Sequence, residues 1–433
     1  MSSTTLAAAA AVDPVRWPDV AAVPQNRLRA VVAEQLVKRA VHSLPIRVTT
    51  ADGKRFGAGR DGDPDLHLVR PSNFYRRLAA GGLIGFGESF MAGDWTSEDL
   101  AGVLTVMAGR MATLISPLLQ RLRTAVVHAR PAVQDNTLSG ARRNIRRHYD
   151  LSNELFELFL DESLTYSSAV FDADPDHSPE ELTSAQHRKI DRLLDLADVR
   201  AGSSVVEIGT GWGELSIRAA RRGARVSTVT ISVEQAELAT KRIAEAGLTG
   251  QVEVRLQDYR EIQGSYDALV SVEMIEAVGA NHWPEYFGTI HRLLKPGGRA
   301  GLQAITMPHD RMIASMNTYT WMLKYIFPGG QLPSVTSIRQ SCDQAGLTVA
   351  SEFGFGLHYA ETLRRWRARF EARADEVRAL SADFDQVFRR MWSLYLAYSE
   401  AGFRSRYLDV VQFGLIRPAI ARKVTSVRKA ARP

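Results

Sequence analysis

The chain has 433 residues, enough for one large domain or two ordinary ones with an ample core. Apolar residues make up 45% and charged residues 24%, the balance of a soluble globular protein, and the formal charge is +6 with a pI near 9.4. The single cysteine, Cys342, excludes an internal disulfide and a cysteine-cluster metal site, so no metal is expected.

Taken in chain order, the alanine-rich run Thr5–Val12 is far shorter than a membrane-spanning helix and lacks the basic leader of a signal peptide. A disordered tail and a cytoplasmic address are expected. Residues 1 to about 130 read as short strands, over Pro45–Thr50 and Leu66–Arg70, mixed with helices. Gly81–Trp95 is rich in glycine but follows no clear strand, and it lacks the Lys-Ser/Thr ending of a phosphate loop. The polar stretch Arg130–Gly140, with Pro131, reads as a linker between a domain over 1–130 and another over 131–433.

Basic residues fall in clusters: Arg142, Arg143, Arg146 and Arg147; Arg364, Arg365, Arg367 and Arg369; and Arg422, Lys423, Arg428, Lys429 and Arg432. Such patches attract the phosphate of nucleic acid or of anionic lipid head groups, unless nearby acids make them ordinary solvated helix faces. No zinc-finger spacing or RNA-recognition aromatic pattern accompanies them, so no nucleic-acid partner is expected and an anionic membrane surface is the better candidate.

From Ser203 onward strands and helices alternate. Strands are predicted over Val205–Ile208, Arg225–Ile231, Val252–Leu256, Asp267–Val272 and Arg299–Ile305, the last after the turn Lys295–Gly298. Helices are predicted over Glu214–Arg222, Val233–Ala246 and Trp283–Leu294. This alternation argues an α/β fold with an open, mostly parallel, Rossmann-like sheet, whose ligands bind beyond the carboxyl ends of the strands.

The turn Gly209–Gly213 after the first of these strands has glycine at every second position, which is not the dinucleotide fingerprint. By itself it could be a tight strand-to-helix connection needing no ligand. Glu207 just before it, Thr230, Ile231 and Gln235 at the end of the next strand, and Asp258 and Tyr259 after the third add a ribose-facing region and an acid and ring suited to adenine. The set suits a ligand with an adenosine but no pyrophosphate, and S-adenosylmethionine fits best.

Nearly the whole sequence resembles the cyclopropane-fatty-acyl-phospholipid synthase family, and within it the actinobacterial tuberculostearic acid methyltransferase branch. The matching runs are Gly85–Trp95, His148–Asn153, Thr165–Ala169, Val206–Gly213, Ser271–Gly279, Gln303–Pro308, Lys324–Gly330 and Ala401–Ser405. The resemblance implies a smaller α+β N-terminal domain engaged with lipid and an S-adenosylmethionine-dependent methyltransferase domain with acyl-binding helical insertions. It implies that Tyr166 and Ser167 touch the cofactor and that Gly209, Gly211 and Gly213 line its methionine and ribose. Thr230, Ile231 and Gln235 would hold the ribose, with Tyr259 against adenine.

Attack of an alkene on a sulfonium methyl leaves a carbocation, so the site needs nearby negative charge and a base for one proton, in a dry setting. Glu276, after the strand Asp267–Val272, could supply the charge; it could also be a capping or salt-bridged acid. The resemblance implies a bicarbonate-like anion as the base, held by Glu276 with Ile305 and Tyr359, the last of which would otherwise read as a structural tyrosine. Ser168 stands where the family usually has cysteine and Gln303 where it usually has histidine, so neither a thiol nor a titrating imidazole is available there. Trp321, Trp366 and Trp392 read as core or acyl-tunnel walls.

The expected reaction is methylation of an oleoyl double bond in a phospholipid, giving a 10-methylene-stearoyl chain that a separate reductase would convert to the 10-methyl product. Cyclopropanation is the alternative, and a non-catalytic lipid-binding protein the alternative of another class. Peripheral attachment to the inner face of the membrane is expected, and a homodimer is compatible with the sequence.

Overall fold

The computed structural model describes residues 12–110, 152–176 and 178–419. The linker Arg130–Gly140, the arginines at 142–147, His148, Tyr149, the C-terminal basic cluster and all but the last residue of Thr5–Val12 lie outside the described residues. The chain divides into two compact units, one of Met1–Arg188, Asp310–Gly330 and Phe355–Val410, the other of Lys189–His309, Gln331–Gly354 and Val411–Pro433.

In the first unit β1 (Arg47–Thr50), β2 (Arg55–Phe56), β3 (Asp65–Leu68) and β4 (Trp95–Thr96) form a sheet of order β2-β1-β3-β4. Only β1 and β3 run parallel; the other pairs are antiparallel. The glycine-rich stretch before β4 is not a loop. It is the second half of a helix spanning Pro71–Ala92, kinked at Gly82 (φ 53°, ψ −128°) and stopped by Gly93 at φ 76°. Its glycines serve packing: a Cβ on Gly87 would stand 2.4 Å from Cδ1 of Trp321. Asp94, fully buried after that helix, is held by Arg70 at 2.8 Å and Arg77 at 2.9 Å.

The helices Gly356–Ala372 and Gln386–Arg404 pack on each other in the same unit. Trp366 and Trp392 are buried in an aromatic cluster with Phe156, Phe159 and Phe370, and Trp321 is buried as well. The arginines of the first of these helices are engaged within the protein. Arg364 and Arg365 both bind buried Glu361, Arg367 binds buried Glu400, and Arg369 donates to the Leu160 carbonyl. That cluster is an internal scaffold, because a buried carboxylate needs its charge matched at short range.

The second unit carries seven strands: β5 (Ser204–Ile208), β6 (Arg225–Thr230), β7 (Val252–Leu256), β8 (Tyr266–Val272), β9 (Leu294–Thr306), β10 (Thr348–Gly354) and β11 (Asp409–Ile416). Their order is β10-β11-β9-β8-β5-β6-β7, parallel from β9 to β7 and antiparallel between β10 and β11. The strand predicted to begin at Arg299 begins at Leu294. Its register jumps from Tyr266–Leu294 to Ala268–Arg299, so the Lys295–Gly298 turn is a bulge within β9. Val205, Val226, Ala268 and Val270 join Leu215, Ile217 and Ile243 from the helices Glu214–Arg221 and Val233–Glu245 in one core. The chain passes outward from β5 to β6 and β7, then returns to place β8 on the other side of β5. That reversal opens a crevice at the carboxyl end of β5.

Candidate active site

The glycine turn sits at this crevice. Gly209, Gly211 and Gly213 all have positive φ, at 96°, 51° and 91°. A Cβ on Gly209 would lie 2.6 Å from Sδ of Met274, and one on Gly213 would lie 3.3 Å from Cβ of Ala239, so these two glycines permit close packing within the protein. A Cβ on Gly211 would meet nothing within 4 Å. That open space beside exposed backbone is where a ligand can approach, and Gly211 is the glycine of the three that the fold itself does not crowd.

Glu207 is buried under the turn and accepts a hydrogen bond from the Ser216 hydroxyl of the following helix. Burial pushes its carboxyl up to about 7 against the pull of Ser216, Thr228 and the charge of Lys189. Thr230 donates to Oε1 of Gln235 at 2.9 Å and accepts from the Ser232 amide at 3.1 Å. This leaves the amide nitrogen of Gln235, beside Ile231 at the end of β6, as the group that can meet a sugar hydroxyl. Asp258 binds Arg260 through both carboxylate oxygens, at 2.9 and 2.8 Å, which commits them to the protein. Tyr259 presents its ring edge-on to Tyr286 at 5.5 Å.

On the other side of β5, Glu276 lies in the short helix Ile275–Val278 after β8. Its Oε1 accepts from the Ile305 amide at 2.5 Å, while its buried Oε2 has no hydrogen-bond partner. Burial, with the neighbouring Glu273 charge second, raises its carboxyl to about 8, so it is largely protonated at neutral pH.

Gln303, wholly buried on β9, donates its amide to Glu273 at 2.8 Å and accepts from Gln412 at 3.1 Å. Gln412 also donates to the Lys189 carbonyl and accepts from Arg192. The network therefore orients Glu273, a residue that sequence reasoning passed over. Glu273 is one of four non-glycine residues with positive φ among those described, at 51°. An acid at the mouth of a strand three residues before another acid was the available signal. Both point to one place: two carboxyls at the carboxyl end of β8, the second of them raised by burial and by the first.

The remaining expected residues lie in the first unit. Tyr166 shares a 2.6 Å hydrogen bond with the Tyr395 hydroxyl and lies 5.3 Å from the Trp366 ring. Gln186 donates to the carbonyls of Thr165 and Ser167, fixing that segment. Ser168 is fully buried and donates to the Ala169 carbonyl at 3.0 Å. Tyr359 is buried with its ring 4.6 Å from Phe403. Among the described residues no group of three or more His, Cys, Asp or Glu is arranged to hold a metal ion.

The family model for mycolic acid cyclopropane synthetase matches residues 136–413. The chain is 52% identical over 421 residues to the tuberculostearic acid methyltransferase UfaA1 of Mycobacterium tuberculosis, covering 96% of this chain and 98% of that one. It is 34% identical to the cyclopropane-fatty-acyl-phospholipid synthase of Escherichia coli, covering 80% and 86%. Among solved structures, mycolic acid cyclopropane synthase CmaA1 complexed with SAH and CTAB superposes with a TM-score of 0.58 at 29% identity, covering 66% of this chain and 99% of that one. Matched by that family model over most of its length and 52% identical to a relative across nearly all of it, the chain belongs to the mycolic acid cyclopropane synthetase family.

Proposed function

We propose that the chain is an S-adenosylmethionine-dependent C-methyltransferase acting on the double bond of oleoyl chains in phospholipids, with a 10-methylene-stearoyl chain as product. The observation that carries this reading is the 52% identity with a tuberculostearic acid methyltransferase over almost the full length of both chains. The open face of Gly211 and the spare amide of Gln235 suit the adenosyl cofactor. That cofactor supplies an electrophilic methyl group on sulfur.

The protein's own part is to hold the alkene dry, stabilise positive charge on the acyl chain and accept one proton from the transferred carbon. Glu276 and Glu273 are the carboxyls at the end of β8 that suit the last two tasks. Gln303, with its amide bound to Glu273 and Gln412, can orient a bicarbonate-like anion but cannot carry its proton. The carboxyl pair can serve without it. Residues 1–130 would engage lipid and 131–433 carry the chemistry, the protein working peripherally on the inner membrane face. A separate reductase would complete the 10-methyl chain.

Expression of the chain alone in a host fed oleate tests the reading. Lipids gaining one CH₂, with an exocyclic methylene seen by proton NMR and a ketone on ozonolysis, are expected. Cyclopropane proton signals at the same mass would establish the relative's cyclopropanation instead, and no gain in mass would sink both.

A further inference from the structure

We infer that the helix Arg27–Val41 is the element that seats this protein on an anionic phospholipid surface. The helix packs on the Pro71–Ala92 helix through the side bearing buried Ala33. Its other side is uncovered: Leu28 is 83% exposed, Val32 60%, Val31 57% and Leu36 49%. At 3.6 residues per turn these four fall within roughly 140° of arc. Elsewhere among the described residues, no helix or strand carries more than one exposed large apolar side chain.

Charge selects the occupant. Arg27 and Arg29 stand at opposite margins of the apolar arc and Arg39 lies within it, all exposed and none in an ion pair among the described residues. The one acid of the helix, Glu34, stands seven residues after Arg27 at that margin of the arc and is bound to Lys38 at 2.7 Å. Arg364, Arg365 and Arg367, by contrast, are each held on a buried carboxylate of the protein. Aliphatic side chains rimmed by free guanidinium groups match an interface of acyl chains beneath anionic head groups. Four aliphatic side chains are too small a patch for a second copy of the chain, since a stable interface needs about 800 Å² per partner. Nucleic acid would leave the apolar arc unmatched.

The inference rests on the reading of the substrate as membrane phospholipid, and its test uses binding without turnover. The full chain is floated with vesicles of phosphatidylcholine alone, or of equal parts phosphatidylcholine and phosphatidylglycerol. Two variants accompany it, Leu28→Asp with Val32→Asp, and Arg27→Gln with Arg29→Gln and Arg39→Gln. All five positions are exposed, and circular dichroism with S-adenosylmethionine titration checks that the variants fold. Wild type should prefer the anionic vesicles, and that preference should weaken with salt. The aspartate variant should lose binding to both compositions by about tenfold or more, and the glutamine variant should lose on the order of a hundredfold on anionic vesicles only. Equal binding by wild type to both compositions, or wild-type binding by both variants, overturns the inference. So does a wild-type dimer in sedimentation that Leu28→Asp with Val32→Asp splits while vesicle binding persists. Vesicle binding without cofactor binding would instead fault the enzymatic reading.

Discussion

Glu276→Gln separates the chemistry from cofactor binding. The substitution preserves shape, keeps an acceptor for the Ile305 amide and removes a carboxyl whose second oxygen is buried and unpartnered. With its carboxyl raised to about 8, roughly a tenth of Glu276 is ionised at pH 7 and about half at pH 8. Wild-type kcat/KM should therefore climb nearly tenfold per pH unit below about 7 and level off above about 8. The glutamine variant should lose that limb and fall by about 10²–10³ at the plateau, the usual cost of one preorganised charge.

Stability supplies an independent reading of the same group. A folded-state value above the unfolded one means that the native protein holds the extra proton, so this group's contribution is fully present below about 4.5 and is lost as pH rises toward about 8. The variant lacks that loss. Urea denaturation should find the two proteins closely matched near pH 5 and the variant more stable at pH 9, by up to a few kcal/mol. A variant with near-normal turnover, or one that keeps the acid limb, would refute the assignment. A failure to bind S-adenosylmethionine would move Glu276 into the cofactor site.

Glu273→Gln keeps an acceptor for Gln303 and removes the neighbouring charge, so the acid limb of kcat/KM should move to lower pH; an unmoved limb would dissociate the two carboxyls. Gly211→Ala should cost about 1–2 kcal/mol in the free protein because of its φ of 51°. It should nevertheless weaken S-adenosylmethionine by about tenfold or more in calorimetry, because its Cβ fills the one open face of the turn. Unchanged affinity would misplace the cofactor. Gly87→Ala drives a methyl group against Trp321 and should lower stability by about 1–3 kcal/mol in urea, while a neutral result would mean that the helix does not pack so closely.

Local patterns carried much of this protein. Apolar runs broken by polar helices predicted the five parallel strands within a few residues, because central strands covered by helices are apolar on both faces and the edge strand β7 alternates. The glycine turn was legible because backbone at positive φ next to a strand end leaves few other residues possible.

Other features depend on partners distant in sequence, and only the tertiary structure decided them. Gly81–Trp95 read only as a glycine-rich stretch that follows no strand and is no phosphate loop; it is helical through Ala92, and packing against Trp321 makes the small size of Gly87 an advantage there. The arginines at 364–369 read either as a surface for phosphate or as a solvated helix face, whereas Arg364, Arg365 and Arg367 are held on buried Glu361 and Glu400. Glu276 was legible as a candidate, but its protonation was not. That follows from burial, the missing partner of Oε2 and the charge of Glu273, which Gln303 and Gln412 orient from two other strands. A carboxyl's charge state is set by the dielectric and the neighbours around it, and neither exists until the chain is folded.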